Sequence, residues 1–185
     1  MDGWDAVILA GGAARRMGGV DKPGLRVGGR TMLERVVDAV QEAATVVVVG
    51  PPRPHPPARY VREDPPGSGP LSALRTGLAE VVSPWFVLLA ADMPFLDSTA
   101  VATLRTAAAP AAGAVLVDEE GQSQWLASVW RTAAVRAALT DYAGRSLRGL
   151  FAPLTPVRVP LGWAARDCDT PEDLARARRD WQQQN

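Results

Sequence analysis

Short apolar runs alternate along the chain with stretches in which apolar residues recur every three or four positions. The runs at 6–9, 45–49 and 85–89 contain almost no polar side chain. Such runs are typical of strands buried on both faces of a parallel sheet. Shorter apolar stretches predict further strands at 60–62, 115–117, 125–129 and 157–159.

Capping patterns between these runs predict where the helices begin. Thr31 and Glu34 have the spacing of a capping box. Pro70 suits the first position of a helix, Ser98 is a predicted N-cap, and Thr170 precedes a proline and two acids. The predicted helices cover about 31–43, 70–81, 98–108, 132–139, 146–151 and 170–181.

The alternation of strands and helices predicts an α/β fold with a doubly wound, mostly parallel sheet. At 185 residues, the chain is expected to form one domain over 1–185. Ligands of such sheets bind beyond the carboxyl ends of the strands. The loops that follow three of the predicted strands, at 11–22, 63–70 and 91–96, carry glycines and charged residues. We therefore expect the functional site at this edge.

Charge and composition exclude several classes of protein. Twenty acidic and twenty basic residues give a formal charge of zero, which argues against a nucleic-acid binder that acts through a bulk basic field. No basic leader or membrane-length apolar run is visible, so a cytoplasmic protein without a membrane partner is expected. The single Cys168 excludes an internal disulfide, and neither it nor the lone His55 is assigned a role.

The loop after the first predicted strand has the composition of a polyphosphate-binding loop. Glycine lets backbone N–H groups approach phosphate oxygens without a Cβ in the way. The arginines at 15–16 can donate two parallel hydrogen bonds to phosphate, and Lys22 supplies a mobile point charge. A solvated basic turn is the alternative. The spacing matches neither a Walker loop nor a dinucleotide-binding fingerprint.

Three aspartates are candidates for binding a metal. Asp92 directly follows the apolar strand at 85–89, where its carboxylate is placed to hold Mg²⁺, although it could instead cap a turn before Pro94. Asp167 and Asp169 stand two residues apart on predicted extended chain, so they point to the same side. One of the two could complete the magnesium shell, or both could serve the start of the last helix.

Four motifs together resemble the nucleotidyltransferases, and most closely the molybdenum cofactor guanylyltransferases. They are Leu-Ala-Gly-Gly followed by Arg-Arg-Met-Gly-Gly-Val-Asp-Lys at 9–22, Pro-Gly-Ser-Gly-Pro-Leu at 66–71, Ala-Asp-Met-Pro-Phe-Leu at 91–96, and Asp-Cys-Asp-Thr-Pro-Glu-Asp-Leu at 167–174. The resemblance implies a Rossmann-like nucleotidyltransferase fold, with a nucleotide half at about 1–96 and an acceptor half at about 97–181.

The resemblance also implies a reaction, in which GMP passes from GTP to phosphorylated molybdopterin and pyrophosphate is released with Mg²⁺ as cofactor. Transient contact with cofactor-biosynthesis or acceptor proteins is expected as well. The implied catalytic residues are Arg16, Lys22 and Asp92. The implied nucleotide-binding residues are Leu9, Ala10, Gly11, Gly12, Lys22, Asp64 and Asp92, and the implied metal ligands are Asp92 with Asp169 or Asp167.

The sequence departs from the family pattern in two places. The guanylyltransferases tend to carry a nucleotide-contacting asparagine after the second strand, where this chain has Gly50 and Pro51. Their acceptor half often shows His-Pro where this chain has Gln124 and Trp125. The arginines at 144–150 could meet an acceptor phosphate or form a solvated helix face. A transferase of CTP, of another nucleotide or to a sugar phosphate remains open, as does a nucleotide-binding module without turnover.

Overall fold

A computed structural model describes residues 3–11 and 20–184. The strands within these ranges are β1 (Trp4–Leu9), β2 (Arg26–Val27), β3 (Arg30–Thr31), β4 (Val46–Val49), β5 (Arg59–Val61), β6 (Trp85–Ala90), β7 (Gly113–Val117), β8 (Ser123–Arg131) and β9 (Val157–Pro160). The helices are α1 (Met32–Ala39), α2 (Pro70–Ala79), α3 (Ser98–Ala108), α4 (Thr132–Thr140), α5 (Leu147–Phe151) and α6 (Pro171–Gln184).

The central sheet has seven strands in the order β5-β4-β1-β6-β8-β7-β9. Pairing is parallel throughout except at β8, which runs antiparallel to both β6 and β7. A short turn joins β7 to β8. Within this turn, the N–H of Asp118 donates to the carbonyl of Gln122 at 3.0 Å. A connection this short can only join antiparallel neighbours, which explains the single reversed strand. The predicted doubly wound, mostly parallel α/β sheet is confirmed.

The strand order creates a crevice between the carboxyl ends of β1 and β6. Strands β4 and β5 lie on one side of β1, in that order. The next strand of the central sheet, β6, lies on the other side of β1. Leu9 pairs with Ala90, and Ala91 N–H donates to the carbonyl of Leu9 at 3.1 Å. The loops that follow β1 and β6 therefore begin side by side at the topological switch point, where open α/β sheets bind ligands.

Helices cover both faces of the sheet. On one face α1 and α3 bury Leu33, Val36 and Leu104 against the strands. On the other face α2 and α5 bury Leu74 and Phe151. A smaller cluster lies between α6 and the β2–β3 hairpin. Two apolar layers of this kind are what a sheet buried on both faces requires.

Helix α1 begins as predicted and ends earlier. Thr31 Oγ1 accepts from the N–H of Glu34 at 3.1 Å, and the Glu34 carboxylate accepts from the N–H of Thr31 at 2.6 Å, so the predicted capping box is confirmed. The helix ends at Ala39 rather than near residue 43. Ala44 N–H donates to the carbonyl of Trp4 and leads the chain into β4, which requires the helix to end first.

Other parts of the prediction also differ from the structure. The N-cap of α3 is Asp97, whose carboxylate accepts from Ala100 N–H at 2.8 Å, so the assignment of the cap to Ser98 is wrong. Helix α6 continues to Gln184, beyond the predicted end near residue 181. The β2–β3 hairpin was not predicted, because two residues per strand carry no measurable periodicity. Its turn uses Gly28 and Gly29 at positive φ.

In the described part of the chain, no helix has the length and hydrophobicity needed to cross a bilayer.

Candidate functional site

The loop after β1 leaves the sheet at the switch point. Leu9 and Ala10 are buried and Gly11 is exposed, so the predicted nucleotide-binding backbone begins at the edge of the crevice. Two other predicted site residues, Gly12 and Arg16, lie outside the residues that the structure describes, as does Arg15.

Lys22 is the only lysine among the 185 residues. It lies between Asp92, which follows β6, and Asp169, which precedes α6. Its Nζ donates to Asp92 Oδ2 at 2.7 Å and to Asp169 Oδ1 at 2.7 Å. The Lys22 side chain is only 14% exposed, whereas those of Asp92 and Asp169 are 22% and 48% exposed. The structure therefore brings three sequence-predicted residues to one point.

The segment that carries Lys22 is tied to the loop after β4. Pro23 lies in a 3-10 turn at 22–24 that begins at Lys22 itself. The preceding residue, Asp21, accepts two hydrogen bonds from the guanidinium of Arg53, one of them at 2.6 Å. These hydrogen bonds lower the pKa of the Asp21 carboxyl. Such a two-bond pair is geometrically specific, so it orients the turn and with it the lysine.

A backbone hydrogen bond joins the two aspartate segments. The N–H of Cys168 donates to the carbonyl of Asp92 at 3.1 Å, which places the next residue, Asp169, opposite Lys22. Cys168 itself is buried, and burial raises the pKa of its thiol to about 12. A protonated, buried thiol is a poor nucleophile, so Cys168 acts as a small packing residue.

The charges of the cluster determine its protonation states. Burial opposes the charged form of Lys22, but hydrogen bonds to Asp169 and Asp92 outweigh burial and raise the pKa of Lys22. Of the two late aspartates, Asp169 accepts a hydrogen bond from Lys22, whereas Asp167 interacts with Lys22 only through its charge. Partial burial, with the negative charges of Asp169 and Asp92, raises the pKa of Asp167.

The aspartate pair fits the protein's share of a magnesium site. Among residues 3–11 and 20–184 no cluster of three or more His, Cys, Asp or Glu side chains is arranged to hold a metal ion. Mg²⁺ in phosphoryl-transfer sites is usually held by one or two carboxylates, with phosphates and waters completing the shell. Asp92 and Asp169 both face one cation, Lys22 Nζ, so a pair of oxygens already converges on a positive charge.

Glu63 is a buried acidic residue in the loop after β5, and the sequence did not indicate a role for it. It is 7% exposed, whereas the neighbouring Asp64, predicted to contact the nucleotide, is exposed. Glu63 Oε1 accepts from the N–H of Gly67 at 3.0 Å. The same oxygen lies 3.5 Å from the position that a Cβ on Gly11 would take. The carboxylate of Glu63 is therefore bonded to the second glycine-rich turn and lies close to Gly11, at the start of the first.

The missing family asparagine has a steric explanation at Gly50. A Cβ at this position would lie 3.0 Å from the carbonyl carbon of Ala10 and 3.2 Å from its Cβ. A side chain there would push against the backbone that opens the first glycine-rich loop. Position 50 consequently offers no side chain to a nucleotide, and the backbone of β4 instead approaches the loop closely.

The comparison with protein families identifies the class of this site. The profile of the MobA-like NTP transferase domain matches residues 6–158. The chain belongs to the MobA-like NTP transferase family. It is a nucleotidyltransferase, and its glycine-rich loop, Lys22, Asp92 and Glu63 all lie within the matched range.

Relatives and solved structures agree with this assignment. A probable molybdenum cofactor guanylyltransferase from Mycobacterium avium (strain 104) is 36% identical over 157 residues, which cover 78% of this chain and 79% of the relative. The fold is similar to that of molybdopterin-guanine dinucleotide biosynthesis protein A from Archaeoglobus fulgidus (TM-score 0.73, 19% identity, 97% and 99% of the two chains). It is equally similar to 2-C-methyl-D-erythritol 4-phosphate cytidylyltransferase from Thermus thermophilus (TM-score 0.73, 22% identity, 96% and 98%).

Substitutions at Glu63 test whether it holds the second glycine-rich turn in place. Glu63→Ala removes the acceptor for Gly67 N–H, and we expect the KM for the nucleotide to rise by about five- to tenfold, since a lost buried hydrogen bond costs about 1–1.5 kcal/mol. Glu63→Gln keeps a carbonyl acceptor and should stay within about twofold of wild type. Steady-state kinetics measures both, and equal KM values for the two variants would contradict the assignment.

Proposed function

We propose that this protein transfers GMP from GTP to the terminal phosphate of a molybdopterin-type cofactor and releases pyrophosphate, with Mg²⁺ as cofactor. The observation that carries the proposal is the Lys22–Asp92–Asp169 cluster at the switch point, beside a glycine-rich loop. The choice of nucleotide and acceptor draws on the name of the Mycobacterium avium relative.

The proposed chemistry is an in-line displacement at the α-phosphorus. A phosphate oxygen of the acceptor forms a bond to that phosphorus while the bond to the oxygen bridging to the β-phosphate breaks, and that oxygen leaves with pyrophosphate. The attacking phosphate is already anionic, so the protein needs no general base. Catalysis of this kind depends on positioning and on neutralising charge.

Lys22 provides the positive charge that this displacement requires. Because the two aspartates raise its pKa, Nζ is protonated at neutral pH and can donate to phosphate oxygens. A preorganised ammonium in a partly buried site stabilises charge that develops on the leaving pyrophosphate. Asp92 and Asp169 would hold the Mg²⁺, which when bound neutralises the phosphates and so reduces their repulsion of the anionic acceptor.

The remaining site residues are proposed on narrower grounds. The backbone of Leu9, Ala10 and Gly11 borders the crevice and would line the nucleotide. Gly12 and Arg16 are included because they belong to the sequence motif at 9–22. Asp64 is exposed at the rim, next to the buried Glu63, and would contact the nucleotide from outside.

We further propose one domain with two functional halves, acting in the cytoplasm. The nucleotide half, about 1–96, contains β1, β6 and both glycine-rich turns. The acceptor half, about 97–181, contains β7, β8 and α5 beside the same edge of the sheet. A partner that receives the finished cofactor would meet the acceptor half.

A related transferase of CTP or another nucleotide is the second candidate. Gly50 favours it, because the family's nucleotide-contacting asparagine is missing and a Cβ at this position would crowd the backbone of Ala10. The Thermus thermophilus cytidylyltransferase has the same fold, so fold alone does not select the base. A binding module without turnover is no longer a candidate, because the family is one of transferases.

Titration calorimetry with Mg²⁺ and each of GTP, CTP, ATP and UTP tests the choice of nucleotide. We expect GTP to bind at least about tenfold more tightly than the other three, equivalent to about 1.4 kcal/mol. Tighter binding of CTP or another nucleotide would replace the guanylyltransferase proposal with the second candidate.

Substitution of the clustered charges tests the mechanism. Lys22→Ala and Asp92→Ala should each lower the rate of transfer by at least about a hundredfold. The first removes a cation that would stabilise the leaving pyrophosphate, and the second removes a carboxylate that would hold the Mg²⁺. The matched control is Asp38→Ala, which removes a carboxylate paired with Arg30 on the surface of α1 and should keep near wild-type activity. Rates are measured as pyrophosphate release on variants with unchanged melting temperatures. If Asp92→Ala transfers GMP as fast as the control, the proposed role of Asp92 is refuted.

A further inference from the structure

Trp125 of β8 lies on the same edge of the sheet as Asp92. The last rung between β6 and β8 pairs Leu89 with Ala127. Because these strands are antiparallel, residues after Leu89 and residues before Ala127 extend past that rung in the same direction. Asp92 comes three residues after Leu89, just past the end of β6, and Trp125 comes two residues before Ala127 on β8.

A β-bulge interrupts β8 at this point. Val115 of β7 pairs with Ser128, but the next residue, Leu116, pairs with Gln124, so residues 125–127 have no partner on β7. Ser128 Oγ donates to the carbonyl of Trp125 at 2.8 Å and accepts from the indole of Trp130 at 2.7 Å, which holds the bulge in shape. Bulges beside active sites commonly redirect a side chain.

Next to the bulge, Trp125 packs on a pair of stacked aromatic rings, Phe151 and Trp130. Phe151 of α5 stacks on Trp130 with ring centroids 4.2 Å apart and an interplanar angle of 10°. Trp125 also stacks on Phe151, with ring centroids 6.3 Å apart and an interplanar angle of 22°. Trp130 and Phe151 are fully buried, whereas Trp125 remains partly exposed. A rigid indole at the end of a buried stack offers a flat surface at low entropic cost.

Two arginines lie on α5, the helix that carries Phe151, and in the segment just before it. Arg148 precedes Phe151 by three residues on α5 and is therefore its neighbour on the helix surface. The guanidinium groups of Arg145 and Arg148 are exposed and make no hydrogen bond or ion pair with any residue in the described part of the chain. Tyr142 donates to the carbonyl of Ser146 at 2.8 Å and so holds the segment that carries both arginines.

We propose that Trp125 is the residue that selects an acceptor with a planar heteroaromatic ring, which stacks on its indole while the anionic part of the acceptor faces the arginines of α5. The inference rests on the proposed function and adds to it the residue that recognises the acceptor class. Stacking of a heteroaromatic base on an aromatic side chain contributes about 1–3 kcal/mol, or roughly five- to 150-fold in affinity. A sugar phosphate would gain little from the same surface.

The test compares Trp125→Leu, which keeps apolar bulk but removes the π surface, with Trp125→Phe, which keeps an aromatic ring. Trp163→Leu is the matched control, because Trp163 is 41% exposed beside Phe95 on the α1 face of the sheet. Each variant is assayed with GTP and two acceptors, the molybdenum cofactor with its terminal phosphate and glucose 1-phosphate. Melting temperatures and the KM for GTP report whether the fold and the nucleotide site are intact.

We expect Trp125→Leu to raise the KM for the pterin acceptor about tenfold, while the KM for GTP stays within about twofold and Trp125→Phe stays within about threefold of wild type. If wild type transfers GMP to the pterin and Trp125→Leu leaves its KM unchanged, the inference is overturned and the proposed function stands. If wild type uses glucose 1-phosphate or neither acceptor, the proposed function fails, and the inference fails with it.

Discussion

The site depends on one largely buried ammonium held between two carboxylates. Lys22 contacts Asp92, 70 positions away in the chain, and Asp169, 147 positions away, each at 2.7 Å. Without a cation between them, the two carboxylates would repel each other at the edge of the sheet. The interaction therefore joins the turn after the glycine-rich loop, the end of β6 and the segment before α6.

The supporting structure explains why these three segments meet. The switch point places the ends of β1 and β6 side by side, and the Arg53–Asp21 pair orients the turn that carries Lys22. The carboxylate of Glu63 accepts a hydrogen bond from the second glycine-rich turn, and Gly50 lies close against the backbone of Ala10.

The parts of the fold that depend on local signals could be predicted from sequence. Buried apolar runs located the main strands, and the Thr31–Glu34 pair located a helix start. The β2–β3 hairpin and the choice of Asp97 over Ser98 as N-cap could not be predicted, because the first is too short for periodicity and the second depends on backbone angles.

The same distinction applies to the site. Sequence motifs were enough to select Lys22 and Asp92 as candidate site residues. The orientation of Asp169 toward Lys22 and the burial of Glu63 arise from contacts between segments far apart in the chain, which no local pattern records.

The most direct test of the central claim uses the fact that Lys22 is the only lysine. Labelling lysine with ¹³C at Cε gives one resonance, and its pH titration reports the pKa of Lys22 in the folded protein. We predict a midpoint above the usual 10.5, and a lower midpoint in Asp169→Asn. Because the folded-state pKa is raised, the stabilisation from the charged lysine is complete below its unfolded value and is lost as pH rises through the folded one. A midpoint at or below 10.5 that Asp169→Asn leaves unchanged would contradict the proposed bridge.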